Sequence, residues 1–238
     1  MKKFLLSSLL AFAAGKVAMA QDVAGCWSAS SAGENGVYFT EVKNADVSTP
    51  DKNGFIRRWA LLEPIVWPNR SNTVFTDSYL RETFCTKLLS KKKQPIVLPA
   101  SPKEGETTVV NGVKLKWHLL ESTGYNIHLY RYATQRSLQK YGIIFAAVTH
   151  VYADEEMDVR LSVGSNSASM WWINGTEALI LSGDRRMVVD DASAPVHLKK
   201  GDNQITGYVI NGPGMSNFCL RFLDKTGKPV TSLIVKNQ

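Results

Sequence analysis

The rhythm between Met157 and Asp224 limits what this chain can fold into more than any other feature. Short runs rich in Val, Ile, Trp and Phe recur there. Each is cut off by a turn signal: Gly164-Ser165-Asn166, Asn174-Gly175, Gly183-Asp184, Lys200-Gly201-Asp202 or Asn211-Gly212-Pro213-Gly214. Runs of this length, separated by tight turns, pair back on one another and bury one face of each strand, so the pattern predicts an antiparallel β-sandwich. Asn174-Gly175, set between Met170-Trp171-Trp172-Ile173 and Glu177-Ala178-Leu179-Ile180-Leu181, reads as a type I′ hairpin, whose two central residues both need positive φ.

The same reading extends upstream. Val37 to Val42 is expected as an edge strand, and Gly54 to Leu62 as a strand stopped by Pro64 and Pro68. Thr76-Asp77-Ser78 followed by Tyr79 to Leu89 predicts a helix capped by Asp77 or Ser78, with apolar positions at 80, 84, 85, 88 and 89, covering one open end of the sandwich. The proline-bearing stretch from Gln94 to Glu106 reads as a surface loop. Asn111-Gly112 then turns into Val113 to Leu120, whose apolar face is Val113, Leu115, Trp117 and Leu119. Tyr125 to Tyr132 alternates like a further strand. Tyr141 to Tyr152 is apolar throughout, as a central strand covered on both faces would be.

The N-terminus reads as an export signal. Met1-Lys2-Lys3 precedes the apolar run Phe4 to Ala14, and Ala18-Met19-Ala20 supplies a small-x-small cleavage site, so the mature chain is expected to start at Gln21 and to be periplasmic or secreted. Val23-Ala24-Gly25-Cys26 has the residue order of a lipoprotein processing site and leaves lipid anchoring through Cys26 as the alternative, although Lys16 and Asp22 separate it from the apolar run. No later run reaches the roughly 20 apolar residues of a membrane-spanning helix. The expected organisation is a signal peptide over residues 1–20, an edge strand with loops over 21–53 and the sandwich domain over 54–238.

Charge excludes one class of partner. Once Lys2, Lys3 and Lys16 leave with the signal, 25 basic residues face 21 acidic ones, a net charge of +4 with both signs interspersed, which is no nucleic-acid footprint. Three cysteines remain, Cys26, Cys85 and Cys219, so at most one disulfide forms; Cys219, inside Phe218-Cys-Leu-Arg-Phe222, reads as a small core hydrophobe.

No catalytic constellation is legible. There is no Gly-x-Ser-x-Gly elbow, and the histidines, 118, 128, 150 and 197, stand alone on separate segments. Glu155-Glu156 and Asp190-Asp191 are adjacent pairs whose side chains diverge in extended chain, so neither pair alone makes the facing carboxylates of a glycosidase. Asp190-Asp191 could supply oxygen ligands to a structural calcium, without an Asp-x-Asp-x-Asp ladder to support it. Binding remains. Sugars are held by aromatic rings stacking on their CH faces and by planar polar side chains, which selects Trp171, Trp172, Asn174, Arg185, Arg186, Asp190 and Asn211. Trp171 and Trp172 are consecutive, so one points inward and the other outward unless both faces of the sheet are covered.

A strand closing on Gly164-Ser165, then Trp171-Trp172-Ile-Asn-Gly175, Arg185-Arg186, Asp190-Asp191, the turn Leu198-Lys-Lys-Gly-Asp-Asn203 and the strand Phe218 to Phe222 together resemble the galactose-binding-like jelly-roll modules of bacterial polysaccharide-degrading proteins. With Gly54-Phe-Ile-Arg-Arg-Trp-Ala-Leu-Leu-Glu-Pro64, the chain most resembles the non-catalytic N-terminal region of some acetylxylan-esterase-type proteins of gut Bacteroidetes. That resemblance implies an exported accessory module that binds plant cell-wall polysaccharide of xylan type or a carbohydrate-active enzyme. An esterase-related enzyme component and a structural docking module are the alternatives.

Overall fold

The apolar run that begins near Tyr141 is the spine of the molecule. In the computed structural model, which describes residues 36–237 apart from Asn44, residues 70–73 and Pro213, it forms the eleven-residue strand β6 of the series that follows. The signal segment and Cys26 lie outside the described residues. The strands are β1 (Phe39–Glu41), β2 (Arg58–Leu62), β3 (Ile65–Val66), β4 (Thr107–Val110), β5 (Val113–Ser122), β6 (Ile143–Ala153), β7 (Met157–Asn166), β8 (Ala168–Ile173), β9 (Thr176–Leu181), β10 (Ala192–Leu198), β11 (Gly201–Asn211), β12 (Asn217–Leu223) and β13 (Ile234–Lys236).

All the pairings are antiparallel, and they make two sheets of unequal size. The large sheet runs β1-β5-β2-β6-β11-β8-β9, with β3 and β13 also on β6 and β4 on β5; the small one runs β10-β7-β12. This is the expected antiparallel β-sandwich. The hairpin is where the sequence places it, with Asn174 at φ 51° and Gly175 at φ 80°. Positive φ at both positions is what a type I′ turn demands, and it matches the twist of the flanking strands.

Alternation distributes each strand between two cores. Trp59, Leu61, Phe145, Trp171 and Val209 face Leu161, Val163, Phe218, Leu220 and Phe222 of the small sheet. Ala60, Leu62, Trp117, Ile144, Met170 and Tyr208 face the other way, beneath Phe75, Leu80, Phe84 and Leu88. Both faces of the large sheet are therefore covered, which explains why β6 reads as apolar without a break. β5 behaves as expected at Leu115, Trp117 and Leu119, all buried, whereas Val113 is exposed at the strand's start.

Three expectations are corrected. The helix α1 (Asp77–Glu82) is capped by Thr76, whose Oγ1 accepts from Tyr79 N at 3.3 Å, and it widens into a π-helical turn over Thr83–Lys87. Rather than closing an end of the sandwich, it lies on the outer face of the large sheet, with Phe84 stacked on Tyr208 at 5.0 Å. Leu80, Phe84 and Leu88 make its buried stripe, so Cys85 is left exposed.

The second correction is at Tyr125 to Tyr132, which is not a strand; Leu129–Gln135 is helix α2. Leu129, Tyr132 and Ala133 are its buried residues, at i, i+3 and i+4, a period that becomes visible only when Ala133 is counted with the tyrosine. The third concerns the strand expected from Gly54, which begins only at Arg58; before it, Phe55 makes a single bridge to Arg221. Cys219 is buried and free as expected, and burial pushes its thiol up to about 12.

Candidate functional site

The fold disperses the seven residues selected from the sequence. Trp171 is 0% exposed, between Trp59 and Phe218, and its Nε1 donates to Ser169 Oγ at 2.9 Å. Asn174 is a turn latch: its Oδ1 accepts from Gln204 N at 3.0 Å and its Nδ2 donates to Asn203 Oδ1 at 2.9 Å. Arg185 donates to Ser182 O and to Asp191 Oδ2, within its own loop, and Arg186 is exposed. Asn211 is buried, and its Nδ2 donates to Met215 O and Ser216 Oγ, shaping the β11–β12 turn. Trp172, half-buried and edge-on to Tyr208 at 5.7 Å, borders an open cavity, and Asn174 lines another.

Asp190 belongs to a clamp that ties the small sheet together. Its carboxylate accepts from Ser162 Oγ on β7 at 2.6 Å and from both Nε and a terminal nitrogen of Arg221 on β12, a two-point contact that matches the planar fork of the guanidinium. Burial alone would raise this carboxyl, but the bonds from Arg221 and Ser162 and the guanidinium charge outweigh it and hold it below its ordinary value. A carboxyl lowered by folding contributes stability that is present above the unfolded-state pKa, about 3.9, and is lost as pH falls through the folded value. Asp190→Asn is therefore expected to flatten the loss of melting temperature on acidification relative to the wild type; melts as steep as the wild type's over that range would contradict the clamp.

The pair Asp190-Asp191 does not fit a calcium ion. Each carboxylate already faces a guanidinium, Arg221 for Asp190 and Arg185 for Asp191, so the positive charge that a cation would bring is supplied by the chain.

Four cavities are large enough or suitably lined to weigh as sites; one, of about 350 Å³ beside Asn174, Glu177 and His197, has no Phe, Tyr or Trp ring. Of the other three, the groove beside Trp172 encloses about 250 Å³, walled by Phe84, Ile96, Leu98 and Tyr208 with Gln204 and Thr206 at its polar side. Ligand sites usually run from about 300 to 1,000 Å³, so this one is small for a sugar chain, and its walls are mostly apolar. A second groove of about 610 Å³ has Glu156, Asp158, His197, Asp224 and Lys225 along it, but no Phe, Tyr or Trp ring. Asp158 there bonds His197 at 3.0 Å and Lys225 at 3.3 Å, and those two partners lower its carboxyl.

The third groove, about 520 Å³, combines a ring with planar amides. It lies where β3, β6 and β11 end together, because Val66 and Asn211 both oppose Ile143 in the register. Val66, Asn69, Gln139, Tyr141, Gly142 and Gly212 line it. Backbone bonds stitch the three segments: Trp67 N donates to Gly142 O at 2.8 Å, and Gly142 N to Gly212 O at 3.0 Å. Asn69 Nδ2 adds bonds to Trp67 O and to Asn211 O. Tyr141 is 41% exposed, the most of any aromatic among the described residues. Tyr130 stands beside it, ring centroids 5.9 Å apart and hydroxyls 3.3 Å apart. The hydrogen bond with Tyr141, and then Lys140, lower the phenol of Tyr130 against the opposing effect of burial.

No protein-family model matches the chain, and no curated protein does. Among solved structures the chain is similar to a β-glucosidase from Kluyveromyces marxianus, at 11% identity and a TM-score of 0.41 over 77% of this chain and 20% of that one. It is similar also to the epithelial adhesin 9 A domain from Candida glabrata in complex with Galβ1-4GlcNAc, at 8% identity and 0.39 over 83% of this chain and 96% of that one. A third is a GH31 α-xylosidase from Xanthomonas citri, at 11% and 0.34, covering 83% and 19%. The chain thus spans about a fifth of the two glycosidases' length. Likenesses this distant carry no argument about ligand or activity.

One constellation escaped the sequence reading. Ser101, His150 and Asp202 meet in space: Asp202 Oδ2 is 2.6 Å from His150 Nδ1, and Ser101 Oγ is 3.3 Å from His150 Nε2. The order resembles a nucleophile, base and orienting acid, but Nε2 is closer to Ala100 O, at 2.7 Å. A carbonyl only accepts, so that nitrogen spends its hydrogen on Ala100 and has no lone pair with which to take a proton from Ser101. The arrangement fastens the loop through Ala100 to β6 and β11. No motif announces it, since the three residues come from separate parts of the chain.

Proposed function

We propose that this protein is an exported, non-catalytic module that binds plant cell-wall polysaccharide, and that the tyrosine groove is its binding face. The observation that carries the reading is the exposed Tyr141 ring over a groove of about 520 Å³ whose rim holds amide side chains. A sugar needs that combination, a flat π-face for its CH groups and planar donors and acceptors for its hydroxyls. The sequence placed the platform at Trp171 or Trp172; the tyrosine groove supports stacking better, because Trp171 is enclosed and Trp172 borders a smaller, more apolar space.

Affinity electrophoresis against soluble xylan, arabinoxylan, pectin and galactan tests the reading. At least one polysaccharide should retard the protein. Tyr141→Ala should abolish that retardation with little change in melting temperature, since an exposed ring contributes little to the core. Retention of full binding by Tyr141→Ala would move the site elsewhere, and no retardation by any of the four would remove the glycan reading.

The association with acetylxylan-esterase-type proteins rests on sequence resemblance, and export rests on the charged and apolar run of the leader. Mass spectrometry of the native protein distinguishes Gln21 from a lipidated Cys26 at the N-terminus. An esterase is the second reading, because Ser101, His150 and Asp202 do converge. With Nε2 committed to Ala100 O, purified protein should release no acetate from acetylated xylan above a heat-treated control. Saturable release that disappears in Ser101→Ala would replace binding by catalysis.

A further inference from the structure

Lys140 lies between Gln139 and Tyr141, two residues that line the tyrosine groove, and like several surface lysines it is left out of the molecule's ion pairs. Arg57 and Arg58 share Glu121, Arg81 meets Glu177, Arg185 meets Asp191, Arg221 meets Asp190 and Lys236 meets Asp202. Among the described residues, Lys140 is ion-paired with no carboxylate. Its ammonium lies 5.4 Å from the ring centre of Tyr130 and 5.7 Å from that of Tyr141, the two rings beside the groove. The position is favourable for the cation, because the ring faces carry negative quadrupole density. It also holds the charge next to the exposed ring of Tyr141. Arg131, exposed on α2, adds a guanidinium over Tyr38 at 5.2 Å whose charge also acts on Tyr130. None of the residues lining the groove is acidic.

We propose that the tyrosine groove selects glycans that carry a carboxylate, the sugar ring stacking on Tyr141 and its uronate group pairing with Lys140. This inference rests on the groove being a glycan site. Hydroxyl recognition alone would not need an unneutralised cation, and a neutral chain would gain nothing from it. A uronate 4 Å or so from an ammonium gains Coulomb energy that the same residue loses when its carboxyl is esterified. Lys140 is then the residue that sets specificity, while Tyr141 supplies affinity common to acidic and neutral chains.

Calorimetry with polygalacturonate, its methyl ester, neutral galactan and dextran sulfate separates the outcomes. Polygalacturonate should bind about tenfold more tightly than its methyl ester, and Lys140→Gln should erase that difference. Added salt should narrow the gap as the pair is screened. Equal affinity for the acid, the ester and galactan would overturn charge selection and leave the glycan site standing. If dextran sulfate binds as tightly as polygalacturonate, or if Tyr141→Ala still binds polygalacturonate fully, general attraction of a basic protein for polyanions replaces the proposal. If none of the four binds, this proposal falls, and electrophoresis against xylan and arabinoxylan decides whether the glycan reading falls with it.

Discussion

Replacing Trp171 by alanine is expected to cost on the order of 3–5 kcal/mol of folding stability, against about 1–2 kcal/mol for the same change at Trp172. The two residues are neighbours in sequence on β8, and the sheet sends them to different faces. Trp171 has no solvent exposure and touches Trp59 and Phe218, with ring centroids at 5.9 and 5.0 Å. Its indole hydrogen is received by Ser169 Oγ, which in turn lies 2.8 Å from Ser165 Oγ, so its loss also breaks into a buried hydroxyl pair. No neighbouring element can collapse into the space without moving one sheet against the other, and an uncollapsed cavity adds to the lost transfer energy. Trp172 is half-buried, and its removal widens a groove that is already open. Denaturant unfolding of the two variants measures the contrast; equal losses would show that the two faces are not packed as described.

Gly207→Ala is expected to be nearly as damaging, for a reason visible only across the sheet. Gly207 on β11 opposes Trp171 on β8, and the indole lies over its Cα. A Cβ built there would come within 2.2 Å of Trp171 Cζ3 and 2.4 Å of Cε3, far inside van der Waals contact. The ring has no free rotamer to retreat into, because Trp59 and Phe218 hold its other sides. Overpacking a filled core commonly costs about 1–3 kcal/mol, and this contact lies at the severe end. A double-mutant cycle gives the decisive reading. In the Trp171→Ala background the added methyl enters the space the ring has left, so the two losses should not add, and the double variant should be more stable than their sum predicts. Additive losses would mean that ring and glycine do not meet. Gly164 provides the comparison, since its added Cβ would lie 1.9 Å from Val188 O, a backbone atom that no second side-chain truncation moves aside.

The chain's local chemistry determined its fold class. Positive φ at Asn174 and Gly175, the alternation of Leu115, Trp117 and Leu119, and the uninterrupted apolar run of β6 each follow from a few consecutive residues, and each appears where the residues require it. Where a local pattern was short it misled. Tyr125 to Tyr132 alternates over too few residues to distinguish a period of two from one of 3.6, and the buried set Leu129, Tyr132 and Ala133 decided for a helix. The site was much less legible. Arg221 is 31 positions from Asp190, Asp202 is 52 from His150, and the segments around Asn69, Tyr141 and Gly212 meet only because β3, β6 and β11 end at one level. Turn residues and alternation act through the backbone of their immediate neighbours, so a sequence carries them openly. Which charges pair, and which tyrosine is left facing solvent, depend on strand order and register, and those arise only when distant strands have found each other and both faces of the large sheet are covered.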